Sequence, residues 1–354
     1  MIIHLLSGFL GSGKTTAIRQ ACKVLIAEGK KLGVITNDQG VNIVDSRLFG
    51  YMQVPQKQVG NGCFCCNYDE LDNKLKELTD TYHPDIIFAE SVGTCTDIVA
   101  TVMKPLIQFN NAQVSISTIA DARLLHNIVI NHEKVFGDDV EYILFKQLDE
   151  AEIIVVNKMD LLSLQELQEL KKYISQSYPE KKTIYQNSLL AGGVNEWLAL
   201  LGSQSPTKHV PQSLDINYDK YASGEAMLAY YDGEFEIETE NNDAEEIGYA
   251  LWRDIVTSVE ENDLPVGHLK CWLNERKKIS STATTTDQGE ADFVRGNKAK
   301  LLINARVQTT PAMLENIIVA SVVLVSTKKN CRITPVEKSV FSPGYPKPVH
   351  RITT

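Results

Sequence analysis

The sequence predicts an α/β protein: a parallel sheet with helices on both faces over residues 1–202, followed by a smaller α+β domain. Three observations point there. Through residue 202 short apolar runs alternate with amphipathic segments, which is how a parallel α/β layer reads. A glycine-rich turn separates the first apolar run from the first amphipathic segment, at Gly8–Gly13. Beyond residue 219 the order of segments changes to β-α-β-β-α-β, the split βαβ or ferredoxin-like order.

In chain order, strands are expected at Ile2–Leu6, Lys31–Thr36, Gln56–Val59, Asp85–Ala89, Val114–Ile119, Glu152–Val156 and Thr183–Gln186. Ile153-Ile-Val-Val is apolar throughout, as a strand buried on both faces should be. Helices are expected at Thr15–Glu28, stopped by Gly29, and at Tyr68–Tyr82, stopped near Pro84. The polar, proline-bearing residues 203–219 read as a linker. The second domain, 220–334, is expected to hold a strand at Glu234–Thr239 and a helix at Ala244–Glu261. Strands at Val266–Leu273 and Lys300–Val307, a helix at Pro311–Ala320 and a last strand at Ser321–Thr327 complete it, with Ser281–Asp287 as a hairpin loop. Residues 335–354, with Pro343, Pro346 and Pro348, read as an extended tail.

Bulk properties narrow the function. The 354 residues are 43% hydrophobic and 23% charged, a globular composition, with no run read as long enough to cross a bilayer. The opening residues lack the basic n-region of a signal peptide and are expected to form a buried strand. A formal charge of -10 argues against nucleic-acid or anionic-membrane partners. Seven cysteines, three of them within four residues, fit reduced thiols in a cytoplasmic protein better than a disulfide framework.

Gly8-Phe-Leu-Gly11-Ser12-Gly13-Lys14-Thr15 matches G-x-x-x-x-G-K-[ST] between a strand and a helix, and Thr16 follows it. Glycines let backbone N–H groups turn inward around an anion, and the helix N-terminus adds its dipole. Lys14 then reaches the β- and γ-phosphates, and the Thr15 hydroxyl binds Mg²⁺. Asn157-Lys158-Met159-Asp160 follows a buried strand. A carboxylate at Asp160 accepts from guanine N1–H and the 2-amino group, whereas adenine offers neither donor; Asn157 and Lys158 brace the loop. These residues point to GTP and GDP. Ser188 and Leu189 read either as a contact to the base edge or as a plain strand-to-helix turn.

Glu90 ends an apolar strand at the edge where open α/β sheets bind ligands, and suits Mg²⁺ held through water. Gly93 is placed to approach the γ-phosphate. Asp85, after Pro84, reads as a turn residue. Asn37-Asp38-Gln39-Gly40, with Asp45 beyond, reads equally as a switch loop, in which Asp38 or Asp45 touches metal and Gln39 places water, or as a solvated turn.

Gly62-Cys63-Phe64-Cys65-Cys66-Asn67 offers three thiolates for Zn²⁺, Co²⁺ or another thiophilic divalent ion. Asn67 with Glu70 reads as a helix N-cap, which would put Cys65 and Cys66 at a positive helix end and lower their thiol pKa. Cys95 is a further candidate ligand; Cys22, Cys271 and Cys331 read as structural, and the seven histidines as core or surface residues.

Together, the run Ser7-Gly-Phe-Leu-Gly-Ser-Gly-Lys-Thr-Thr, Gly62-Cys-Phe-Cys-Cys66, Glu90-x-x-Gly93 and Asn157-Lys-Met-Asp160 resembles the CobW-like P-loop GTPases, metallochaperones related to those that insert nickel into hydrogenase and urease. The resemblance covers roughly the first 200 residues. It implies a GTPase that services a client metalloprotein or a corrinoid-dependent enzyme. It also implies a metal site at Cys63, Cys65 and Cys66, a phosphate and Mg²⁺ site over residues 11–16, a second switch at Glu90 and Gly93, and guanine recognition by Asn157, Lys158 and Asp160. It leaves a nucleotide-dependent dimer open. Two departures stand out: the family's first switch usually reads Asn-Glu-Phe-Gly, and no histidine-rich tract is present, Gly267-His268 alone matching the usual His-Gly signature in part. No arginine is placed as a finger, so turnover is expected to be slow. The competing reading is a metal- or redox-sensing module in which nucleotide only locks a conformation. A small-molecule kinase is disfavoured by Asn157–Asp160.

Overall fold

Strand β1 (Ile2–Ser7) carries the chain into the glycine-rich loop, and helix α1 (Lys14–Ala27) carries it back along one face of the sheet. The computed structural model describes residues 2–37, 39, 52, 54–60, 62–203, 211–287 and 292–354. Asp38 and Asp45 lie outside the described residues. The remaining strands of the first sheet are β2 (Leu32–Asn37), β3 (Gln56–Val59), β4 (Ile86–Glu90), β5 (Gln113–Asp121), β6 (Ile153–Asn157) and β7 (Lys182–Tyr185). Among the described residues they lie in the order β3-β2-β4-β1-β5-β6-β7. Every pairing is parallel.

Alternation along the strands supplies both faces. Leu6, Val34, Phe88 and Ile153 pack with Ala17, Ile18 and Leu25 of α1 and with Trp197 of α7 (Asn195–Ser203). Ile3, Leu5, Ile35, Ile87 and Ile116 pack with Leu71, Leu75 and Leu78 of α2 (Tyr68–Tyr82). The π-helical turn Val99–Met103, continued by α3 (Lys104–Asn110), covers the same face. Among the described residues the first unit also holds helices α4 (Ala122–Val129), α5 (Asp138–Glu150) and α6 (Leu164–Ser177), and α8 (Tyr218–Ala226) runs from it to the start of the second.

The chain divides into two compact units. The second runs from 225 to 345, and residues 346–354 return to the first. In the second unit β8 (Leu228–Glu238), α9 (Ala244–Glu261), β9 (Val266–Leu273), β10 (Lys277–Thr282), β11 (Lys298–Gln308), α10 (Pro311–Lys329) and β12 (Arg332–Phe341) follow one another. The antiparallel order is β10-β9-β11-β8-β12. Leaving out the edge strand β10, this is the ferredoxin-like arrangement with one added hairpin strand.

Three expectations are corrected here. Ser321–Thr327 is not a strand but the second half of α10. Thr310 accepts from Met313 N–H (3.2 Å) ahead of Pro311, and the helix continues until Asn330, which turns it off at φ 48°. Leu314, Ile317, Ile318, Ser321 and Val325 share one buried helical stripe. The tail begins later than residue 335, because β12 runs to Phe341 and pairs with β8. Finally, α10 is long and apolar enough to cross a membrane by length and composition, with mean hydropathy 1.3, contrary to the reading that no such run exists. Its buried stripe lies against the second sheet's core, while Val319, Val323 and Leu324 are exposed.

Within β8 and β11, Asp232 and Arg306 form a fully buried pair, 2.8 Å from Nη1 to Oδ1. Asn304 Nδ2 also donates to Asp232 (2.7 Å), and the Arg306 guanidinium lies 4.2 Å from the centre of the Tyr230 ring. Removing one partner of such a pair leaves a buried charge uncompensated. Asp232→Ala should therefore cost about 3–5 kcal/mol of stability, read as a lower urea midpoint; a loss under 1 kcal/mol would contradict the account.

Candidate functional site

Three loops meet at the C-terminal ends of the central strands. Pairing of β1 with β4 sets Leu6 opposite Glu90, and this places the acid beside the start of the glycine-rich loop. Thr15 Oγ1 donates to Glu90 Oε1 at 2.8 Å, so the hydroxyl and carboxylate expected at Mg²⁺ lie side by side. Lys14 Nζ donates to Gly8 O (2.7 Å) and Phe9 O (3.4 Å), which holds the ammonium over the loop. Gly11 and Gly13 have φ of 73° and 97°. At Gly13 a Cβ would lie 2.4 Å from Asn157 Nδ2, so backbone geometry and close approach both require glycine. Ser12 is buried and Thr16 half-buried.

Asn157 ends β6, and its carboxamide is used at both ends. Nδ2 donates to Ser12 O (2.9 Å), while Oδ1 accepts from Ser188 N–H (3.0 Å) and Ser188 Oγ (2.8 Å). The Ser188 N–H thus points to Asn157, and the Leu189 N–H to Asn187 Oδ1 (2.8 Å). Lys158, at φ 60°, forms an ion pair with Asp121 Oδ2 (2.7 Å). Asp121 is a residue the sequence reading missed: register sets it opposite Asn157, and its other oxygen caps α4 by accepting from Leu124 N–H. Its position as the last residue of an apolar strand was the available signal. Asp160 is exposed in the short turn Met159–Leu161.

The cysteine loop lies against the other face of the same sheet. Asn37, at the end of β2, accepts from Phe64 N–H (2.9 Å) and donates to Gly62 O (2.7 Å), fixing the loop to the strand edge. Cys66 and Asn67 N–H both donate to Cys63 O, closing a tight turn that gathers the thiols. The sulfurs of Cys63, Cys65 and Cys66 all lie within 4.8 Å of one another. Such a grouping of soft donors fits a thiophilic divalent ion. Cys22 and Cys271 are each buried in a different hydrophobic core.

Two expectations fail locally. Asn67 occupies the N-cap position of α2 but makes no side-chain cap; its Nδ2 donates to Gly60 O instead. Nor is the pKa of Cys65 and Cys66 lowered. Its hydrogen bonds to Cys63, Cys66 and Cys95, followed by burial, hold the Cys65 thiol well above its usual range. Cys66 is raised as well, first by its hydrogen bond to Cys63. Neighbouring thiols outweigh the helix end, because each deprotonated sulfur would face its neighbours in a dry setting.

The loop after β4 connects the two sites. Gly93 lies against Leu10 of the phosphate loop, where a Cβ would meet Leu10 Cδ2 at 2.6 Å. Gln147 of α5 donates to both Gly93 O (3.0 Å) and Cys95 O (2.9 Å). Glu150, one helical turn on, accepts from Thr96 Oγ1 (3.1 Å) and Val99 N–H (3.2 Å). Neither residue was found by sequence reasoning, since nothing local marks them.

Residues 346–354 form a strap over this region. Lys347 N–H donates to Cys66 Sγ (3.3 Å), and Val349 N–H donates to Cys65 O (2.9 Å). His350 packs edge-on between the rings of Tyr68 and Phe109. Arg351 Nε donates to Asp97 Oδ2 (2.6 Å), the same oxygen that takes the Tyr218 hydroxyl.

Burial, and then the charge of Asp97, raises the Glu150 carboxyl to about 8. Its ordinary value is 4.5, so between these limits the folded state binds more protons than the unfolded one. The stabilisation from the protonated acid is complete below the lower limit and is lost as pH rises through the upper one. Glu150→Gln should flatten that loss, removing a slope of up to about 1.4 kcal/mol per pH unit from unfolding curves. An unchanged slope would show that Glu150 does not hold a proton there.

The family described as the CobW/HypB/UreG nucleotide-binding domain matches residues 2–185. The zinc chaperone CobW of a Sinorhizobium species is 28% identical over 204 residues, 51% of this chain and 57% of that protein. The zinc chaperone YjiA of Escherichia coli is 38% identical over 96 residues, 27% of this chain and 30% of that protein. At most, then, the chain spans little more than half the length of these relatives. The solved structure of HypB from Helicobacter pylori in complex with nickel covers 58% of this chain and 91% of that one, at 16% identity and TM-score 0.42. With its family match extending over half its length, from β1 through β7, the chain belongs to the CobW/HypB/UreG nucleotide-binding-domain family.

Proposed function

We propose that this protein is a GTP-hydrolysing metallochaperone that binds Zn²⁺, Co²⁺ or a similar thiophilic ion as cargo at Cys63, Cys65 and Cys66 and passes it to a client metalloprotein. The observation that carries this reading is the shared clamp: Gln147 holds Gly93, on the phosphate side, and Cys95, beside the thiols, through one carboxamide. Relatives named zinc chaperones support the cargo class.

In this reading Lys14 and the N–H groups of residues 11–16 hold the phosphates, and Thr15 and Glu90 hold Mg²⁺. Mg²⁺ held there would supply positive charge to the phosphates, and Lys14 would offset the charge that develops on the β–γ bridge as water attacks the γ-phosphate. Asp160 reads guanine, with Asn157 and Lys158 fixing its loop and Ser188 bracing Asn157. Asp38, the proposed first-switch acid, would help position the metal or water. Loss of the γ-phosphate frees Gly93, and the clamp passes that change to the segment bearing Cys95. By reciprocity, a metal that favours one nucleotide state is itself bound more tightly in that state. The cytoplasm, where thiols stay reduced, is the setting this chemistry requires.

Phosphate release should be detected with GTP and not ATP, and Lys14→Ala should abolish it. Asp160→Asn replaces an acceptor by an amide donor, which suits the C2 carbonyl of xanthine. The variant should lose GTP turnover at least about tenfold while gaining XTP turnover. Equal use of ATP and GTP by the wild type would overturn the base assignment. A metal-loaded chain with no turnover of any nucleotide would favour the sensing module instead.

A further inference from the structure

We propose that Cys95 is the fourth ligand of the metal site, so that one corner of a four-thiolate site is carried by the loop that follows Gly93. This rests on the metal-cargo reading above and adds to it the identity of the missing donor.

Geometry points to Cys95. A tetrahedral ion with metal–sulfur bonds of about 2.3 Å separates its ligand sulfurs by about 3.8 Å. Cys65 stands 3.8 Å from Cys66 and 4.0 Å from Cys95, so two such edges are already close to that length, while Cys95 lies outside the 4.8 Å grouping of the other three and must close on it as the ion enters. Cys63 lies 2.8 Å from Cys65, and this edge must open as the ion enters. Cys95 is completely buried in the same hydrophobic cluster as Cys63 and Cys65. A turn from Val92 O to Cys95 N–H (3.0 Å) folds the chain back after Gly93, and Gln147 fixes the Cys95 carbonyl.

The side chains around the thiols have neighbours of their own. The His350 ring is edge-on to two aromatic rings, 5.0 Å from Tyr68 and 5.1 Å from Phe109. The Asn67 amide is directed to Gly60 O. Asp97 takes Arg351 and the Tyr218 hydroxyl on Oδ2, whereas its buried Oδ1 has no hydrogen-bond partner and is the oxygen donor that X-ray absorption distinguishes from Cys95. The strap brings to Cys66 an N–H donor, which supports a thiolate ligand but cannot be one itself. Binding by four thiols releases their protons as the metal–sulfur bonds form, with no change of oxidation state.

The test uses the full chain. X-ray absorption of the Zn²⁺-loaded wild type should show four sulfur neighbours at about 2.3 Å. Three sulfurs with one oxygen or nitrogen would overturn the assignment while leaving the cargo reading intact. A wild type that takes up neither Zn²⁺ nor Co²⁺ would overturn both. In Co²⁺ titrations Cys95→Ser should lower the sulfur-to-cobalt charge-transfer intensity by about one quarter, one ligand in four, and Cys331→Ser should leave it unchanged. A Cys95→Ser spectrum identical to wild type would reject Cys95 as a ligand. The absorption measurement needs no variant, so the proposal stays testable if Cys95→Ser does not fold.

Discussion

The Asn157 carboxamide holds the nucleotide end of the first unit together. One side chain reaches the phosphate loop through Ser12 O and the loop after β7 through both polar groups of Ser188. Its partners are buried, and no shorter or apolar side chain could satisfy all of them at once. The fit extends to sequence choice, because Gly13 has to be glycine for the amide to approach. Bracing from beneath leaves Asp160 exposed at the rim, with its loop fixed by the ion pair of Lys158 with Asp121.

A similar division of labour governs the segment from Gly93 to Val99. Its backbone is secured by side chains of α5, Gln147 at Gly93 and Cys95 and Glu150 at Thr96 and Val99. One amphipathic helix therefore sets the spacing between the phosphate side and the thiol side. Neighbouring thiols and burial hold the Cys65 and Cys66 thiols above their usual range. The cluster is thereby biased against reacting as a free nucleophile.

What the sequence made legible was local. The glycine-rich loop, Asn157–Asp160 and the Cys63–Cys66 run each compress their chemistry into a few contiguous residues, and the central strands β1, β4 and β6 are marked by apolar runs. What it concealed was long-range or competitive. Ser321–Thr327 is rich in β-branched residues and reads as a strand, but capping at Thr310 and burial of one helical stripe outweigh that propensity. The ionisation of Cys65 and Cys66 was misjudged because a helix-end effect was weighed without the neighbouring thiols. Gln147, Glu150 and Arg351 carry no motif at all; they matter through contacts with residues far away in sequence, and spacing does not encode those.

The strap gives the protein an order of events during its own synthesis. Cys66 and the Lys347 amide that touches it are 281 residues apart. At ribosomal speeds of about 5–20 residues per second, the thiols emerge roughly 15–60 seconds before the segment that lies over them. For that interval the nascent chain presents reduced sulfur without its strap. Encounters with free metal or with oxidants in that period would meet a different surface from the one the finished molecule shows.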